Sequence, residues 1–232
     1  MNAKYKIWTP ISVLCFTTII LGVSAQDNNS RPYVKPNFKQ IVKTVKDKSS
    51  AYYYPNLFKR YQDGDNMMTD LEQFYTYYGY ISTEDYEPYA LSVYEDSLRD
   101  LLKLDSLTSN DAKKALFYLD DILAQDPFNI QMLLNQAFMY KSLKMNTEAQ
   151  KTFNKMGIVM GALLQTGDAL SKKTAIYVIN IQQEYDYIYA QGFDPQSQDV
   201  TGHYDHIVLA PNDENFTDMY FDISAFIGKD DH

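Results

Sequence analysis

The sequence predicts an α+β fold: a mainly helical region closed by a small antiparallel β-sheet at the C-terminal end. Three observations predict it. Apolar residues recur at i, i+3, i+4 and i+7 in successive stretches from Phe38 onward. Two of these stretches carry similar residues 34 positions apart. After Thr174 the pattern changes to β-branched and aromatic runs of strand length, bounded by turn residues.

The first element is "MNAKYKIWTPISVLCFTTIILGVSAQ". Lys4 and Lys6 precede an apolar run, and Val23-Ser24-Ala25 places small residues where a signal peptidase cuts, so residues 1–25 are expected to be a secretory signal. The run is too short to anchor the chain comfortably in a membrane. Leu14 before Cys15, where a lipidated cysteine follows a small residue, argues against a lipoprotein. Cleavage removes the only cysteine and leaves 19 basic against 30 acidic residues, a net charge of −11. The mature chain then has no thiol chemistry. Its acidity argues against nucleic acid or an anionic membrane surface as partner, and no membrane insertion is expected once the signal is gone. The protein is expected in the periplasm or outside the cell.

Residues 26–36, "QDNNSRPYVKP", read as a flexible leader, and residues 37–170 as the helical region. Phe38, Ile41, Val42 and Val45 mark the first helix. Pro55 suits the first turn of a second over 55–62, which "DGDN" ends. Thr69 and Glu72 form a capping box for a third, with Leu71, Phe74, Tyr75 and Tyr78 on one face as far as Gly79. Leu91, Tyr94, Leu98 and Leu101 or Leu102 mark a fourth. A fifth begins near Asn110 or Asp111, carries Ala115, Leu119 and Ile122, and stops at Pro127. Leu133, Ala137 and Tyr140 belong to the helix after that turn.

Adding 34 to positions 115, 119 and 122 gives Ala149, Phe153 and Met156. The period and residue types resemble the tetratricopeptide repeat, in which helix pairs stack. The resemblance covers one full repeat and the second helix of the one before. Subtracting 34 from Leu133, Ala137 and Tyr140 reaches Arg99, Lys103 and Ser106, where the pattern fails. A stack needs about three units to bury its faces, so flanking helices are expected to cover this one.

Residues 171–232 form the C-terminal region. "TAIYVINI" (174–181) reads as a strand or a buried helix; if a strand, "QQEYDYIYAQG" is a short helix after it. "HYDHIVLA" (203–210) and "TDMYFDISAF" (217–226) read as strands joined through "PNDEN" into an antiparallel hairpin. A hairpin is marginal alone and needs a third strand or the helices.

"SSAYYYPNLFKRY", "YTYYGYI" followed by "YEPY", the helical repeat, "TGDALSKKTAIYVINIQQEYDY" and "MYFDIS" occur in that order. Together they resemble an exported family of Gram-negative gut anaerobes classed as a domain of unknown function, number 4919, over roughly residues 37 to 226. The resemblance implies export and a common fold, and carries no activity. Where that family tends to read Gly-Asp-Gly, this chain has Gly167-Asp168-Ala169. A positive φ at the third position would be strained here.

Few residues point to chemistry. There is no Gly-x-Ser-x-Gly elbow and no phosphate loop, and Ser171 and Lys172 are adjacent, which is not a dyad spacing. His203, Asp205 and His206 alternate along a strand and do not converge, so no metal is expected. "DGDN" lacks the glycine and distant glutamate of a calcium loop. Glu184 and Asp186, at i and i+2 on a helix, diverge. No catalytic residue and no cofactor are expected. The anomaly is tyrosine, at 21 residues. Tyr75 and Tyr78 are expected between helices, whereas Tyr52, Tyr53 and Tyr54 cannot all face inward. The candidate binding surface is therefore Tyr52, Tyr53 and Tyr54 together with Asn135, Gln136 and Tyr140 from the first helix of the full repeat. The expected function is a non-enzymatic module that binds another envelope protein or a glycan. The alternative is a glycan-processing hydrolase using a carboxylate pair and exposed tyrosines.

Overall fold

A computed structural model describes residues 32–89 and 91–227. The expected signal sequence, most of the leader and His232 lie outside the described residues. α1 (Phe38–Lys46) starts where the Asn37 side chain accepts from the Gln40 amide at 3.1 Å, and buries Ile41 and Val45. α2 (Tyr54–Gln62) has Pro55 in its first turn. α3 (Asp70–Gly79) opens with the expected capping box: the Thr69 amide donates to Glu72 Oε2 at 2.7 Å, and the Glu72 amide to Thr69 Oγ1 at 3.3 Å.

The buried side of α3 is Phe74, Tyr77 and Tyr78, while Leu71 is 51% exposed and Tyr75 only partly buried. The expected stripe is thus rotated, because α1, α2 and the helix over Asn146–Leu164 all pack on α3 and no single face is its inner one. The fourth helix is also shorter than expected. α4 (Glu95–Leu102) leaves Leu91 outside it and 77% exposed. Ser92 holds the chain in a turn there, its amide donating to Glu95 Oε1 at 3.3 Å and its Oγ accepting from the Tyr94 amide at 3.1 Å.

α5 (Ser109–Gln125), α6 (Ile130–Ser142) and α7 (Asn146–Leu164) form two consecutive helical hairpins, α5 packed on α6 and α6 on α7. The chain turns at Pro127. There Phe128 drives its ring among Tyr61, Tyr77 and Tyr80, with centroids 4.9, 5.4 and 5.3 Å away. Tyr61 Oη donates to the Pro127 carbonyl. Of the residues 34 apart, Ala115, Leu119, Ile122 and Ala149 are buried, and Phe153 and Met156 partly so. The flanking cover is present: α4 packs on α5, α2 and α3 on α7, and the helix over Gln182–Ala190 on α6.

The C-terminal sheet has four strands in the order β1-β4-β3-β2: β1 (Ile176–Tyr177), β2 (Pro195–Thr201), β3 (Tyr204–Leu209) and β4 (Asp218–Asp222). β3 and β4 are the expected antiparallel hairpin, with Tyr204 opposite Asp222 and His206 opposite Tyr220. β1 adds a parallel edge, so the sheet is mixed. β2 is a strand that "PQSQDVT" does not announce. It pairs with β3 across the two-residue loop Gly202-His203, where Gly202 takes φ 66°. α8 (Gln182–Ala190) follows β1, as the strand reading of 174–181 requires.

One core runs through both parts, from Ile41, Leu57 and Phe74 through Phe128, Ile158 and Ile188 to Ile207 and Phe221. A second, smaller one joins Leu98, Ala115, Leu119, Ile122 and Met139 among α4, α5 and α6. Ala169 does take φ 62°, in the left-handed region, with its methyl fully buried. Among the described residues, no helix is long and apolar enough to cross a membrane.

Candidate functional site

Successive residues on a helix are about 100° apart, and this separates the candidate residues of α6. Gln136 and Tyr140, one turn apart, face the seam with α5 and α7. Gln136 is 6% exposed; its Nε2 donates to Asp120 Oδ1 at 2.7 Å and its Oε1 accepts from Thr152 Oγ1 at 3.3 Å. Both ends of the amide are therefore spent on holding α5 and α7 together. Tyr140 is partly buried, and burial, then Asp120 and Glu148, raise its phenol above the ordinary value. Lys155 of α7 belongs to the same seam. Burial lowers its ammonium pKa, while Asp120 and Asp63 pull the other way.

Asn135 lies on the other side of α6, accepting from Gln131 Nε2 at 3.3 Å. On that side the structure places residues the sequence reading missed. Phe138 is 43% exposed, its ring 6.4 Å from that of Phe153 and perpendicular to it, and Lys141 Nζ lies 5.6 Å over the Phe153 ring. The signal was present: Phe138 is an aromatic residue off the Leu133, Ala137, Tyr140 stripe, where a polar side chain would be expected.

The tyrosine triplet divides as well. Tyr54 is buried. Tyr52 is partly buried and stacked on Tyr75, centroids 4.4 Å apart, and Tyr53 is partly buried as the residue preceding α2.

Two carboxyl groups beside the α5–α6 turn, Asp126 and Asp186, are engaged in holding the fold. Asp186 Oδ2 accepts from the Ile130 amide at 3.0 Å, at the start of α6, and burial followed by Asp126 pushes its carboxyl up to about 7. Burial pushes Asp126 up to about 6, opposed by hydrogen bonds from Asn129 and the Phe128 amide. Its Oδ2 also accepts from Asn180 Nδ2 at 3.3 Å. His203, Asp205 and His206 diverge: His203 lies 3.5 Å from Asp222, Asp205 is buried, and His206 Nε2 is 2.6 Å from Asp218 Oδ1 on the outer side of the sheet. Among the described residues no group of three or more His, Cys, Asp or Glu could hold a metal ion.

A family model covers almost the whole of this structure, residues 39–232. The chain belongs to the family described as Domain of unknown function (DUF4919). No curated protein and no solved structure matches it. Membership of DUF4919 brings no activity with it, so function has to be argued from the surface of this fold.

Proposed function

We propose that this DUF4919 chain is an exported, non-enzymatic binding module whose partner is another protein of the cell envelope. Export rests on the three-part leader with its Val23-Ser24-Ala25 end. The module is a degenerate tetratricopeptide-like pair of helical hairpins, α5 to α7, braced by the elements around it. The observation that carries the reading is the outer side of α6 and α7. There Asn135, an exposed Phe138, Lys141 and Phe153 set aromatic rings beside an amide and an ammonium on two long helices. Exposed aromatic anchors of this kind are what protein interfaces use. The hydrolase reading needs two carboxyl groups open to a sugar, and Asp126 and Asp186 spend their oxygens on the α6 N-terminus and Asn180.

The test is capture of partners from an envelope extract by the mature chain and by an Asn135→Ala/Phe138→Ala double variant. Tyr140→Phe, which leaves that outer side intact, is the control. The reading expects a partner held by the wild type and the control and lost by the double variant. Equal recovery by all three overturns it.

A further inference from the structure

A cleft of about 450 Å³ opens at one end of the helical hairpins, between the start of α5 and the α6–α7 turn. Ser109, Lys113 and Leu116 line it from α5, and Ser142, Leu143, Lys144 and Met145 from the turn. That volume suits a few side chains of a ligand. The slot beside Gln183 and Asp126, at about 10 Å³, has room only for a water-sized group.

Three features give the cleft a definite chemistry. Its floor is apolar and adaptable: Leu116 and Leu143 lie against the smaller core, and Met145 is 39% exposed. Its charged residues are both lysines, Lys113 and Lys144, each exposed and outside every ion pair formed among the described residues. On a chain of net charge −9 before signal removal, an all-positive rim is a local reversal of sign. The start of α7 meets the same cleft through its N-cap residue Met145, and Glu148 in its first turn offsets the partial positive charge of that end. Lys144 is held at φ 61° at the tip of the turn, with the Met145 amide bonded to the Tyr140 carbonyl at 2.9 Å, so its position is set by the backbone.

We infer that this cleft binds an acidic segment of the protein partner, one apolar side chain lodged against Leu116, Leu143 and Met145 and flanking carboxylates paired with Lys113 and Lys144. The inference rests on the proposed protein-binding function and adds where the partner enters and what chemistry it carries. The apolar anchor sets this cleft apart from the lysines exposed along α1, Lys39, Lys43 and Lys46, which offer charge alone.

The probe is a fluorescein-labelled ten-residue peptide with four Asp or Glu residues around a central Leu, followed by fluorescence anisotropy on the full chain. Comparison peptides replace the acids by Lys or the Leu by Gly. The acidic Leu peptide is expected to bind saturably, at least tenfold more tightly than either comparison, and to weaken as salt rises. Lys113→Glu/Lys144→Glu should weaken it at least tenfold, with a thermal midpoint close to the wild type because both side chains are exposed. Equal binding of the three peptides, or of the two protein versions, overturns the inference. So does binding of phosphatidylglycerol vesicles with no binding of the peptide. Loss of partner capture in Asn135→Ala/Phe138→Ala but not in Lys113→Glu/Lys144→Glu would leave the proposed function standing and remove the cleft from it.

Discussion

Replacing Glu184 by Gln should change how the stability of this fold depends on pH. Glu184 on α8 and Asp205 on β3 are both fully buried and face each other between helix and sheet. As carboxylates they would leave Glu184 Oε1 and Oε2 and Asp205 Oδ1 without partners; the remaining Asp205 oxygen accepts from Gln198 Nε2. A proton held between the two groups pairs one Glu184 oxygen with Asp205 Oδ1. Burial first, and the Asp205 carboxyl second, push Glu184 up to about 10 from an ordinary 4.5. Between those two values the folded chain keeps a proton that the unfolded chain releases. Stability contributed by this group is therefore present at low pH and lost as pH rises, by about 1.4 kcal/mol per pH unit. From pH 5 to pH 8 that amounts to about 4 kcal/mol. Glu184→Gln keeps a donor opposite Asp205 and titrates nowhere in the range. Urea unfolding followed by circular dichroism at pH 5, 6, 7 and 8 should find the variant gaining about 4 kcal/mol on the wild type across the series, with unchanged m. Parallel stability profiles for the two chains would refute the reasoning.

Other substitutions test other parts of the fold. At Gly167 a methyl would come within 2.1 Å of the Thr174 carbonyl oxygen and 2.6 Å of that of Ala175, both backbone. Gly167→Ala should therefore cost about 3 kcal/mol, read as a fall in the thermal midpoint of roughly 6–12 °C. Ala169→Gly two residues on trades relief of a left-handed alanine against a lost buried methyl and a freer unfolded chain, and should stay within about 1 kcal/mol of the wild type in the same scan. Thr69→Ala and Thr108→Ala each break a capping box and should each lower the urea midpoint by the equivalent of about 1 kcal/mol. Tyr77→Phe removes the hydroxyl that donates to Gln183 Oε1 at 2.5 Å inside the core, an expected loss of about 1–2 kcal/mol by the same measurement.

Much of the helical part was legible because its signals are local. The Thr69–Glu72 box, Pro55 in a first turn and the stop at Pro127 each act within four residues, and all three stand where the sequence puts them. What failed depended on neighbours distant in the chain. Leu71 and Leu91 fit a helical period as well as Phe74 and Leu98 do, and only the packing partners of α3 and the Ser92 turn decide which are buried. β2 was invisible because its side chains are almost all exposed: an edge strand needs hydrogen bonds to β3 more than it needs apolar residues. The burial of Gln136, one of the candidate surface residues, was illegible for a similar reason. Amides and phenols suit a ligand, and they suit a helix seam equally well. Only the positions of Asp120 and Thr152 reveal that Gln136 serves the seam.

The tyrosine excess and the two acids of α8 have one physical explanation between them. Glu184 and Asp186, two positions apart, point to opposite sides of the helix, one to the sheet and the other to the start of α6. α8 is thus a wedge with a buried polar contact on each side. The segment leading into it is fastened by phenols from the N-terminal helices and the loop after them. Tyr78 Oη donates to the Tyr177 carbonyl at 2.8 Å, Tyr86 Oη to that of Ile179 at 2.7 Å, and Tyr77 Oη to Gln183. A ring supplies the buried area and its hydroxyl satisfies a carbonyl that would otherwise be stranded in the core, which leucine could not do. An apolar contact tolerates a small slide between layers, whereas a buried hydrogen bond tolerates very little before its groups are left unpaired. The tyrosines therefore set the register of the sheet against the helices, and among the described residues, which contain no cysteine, this fixation is reached by hydrogen bonding.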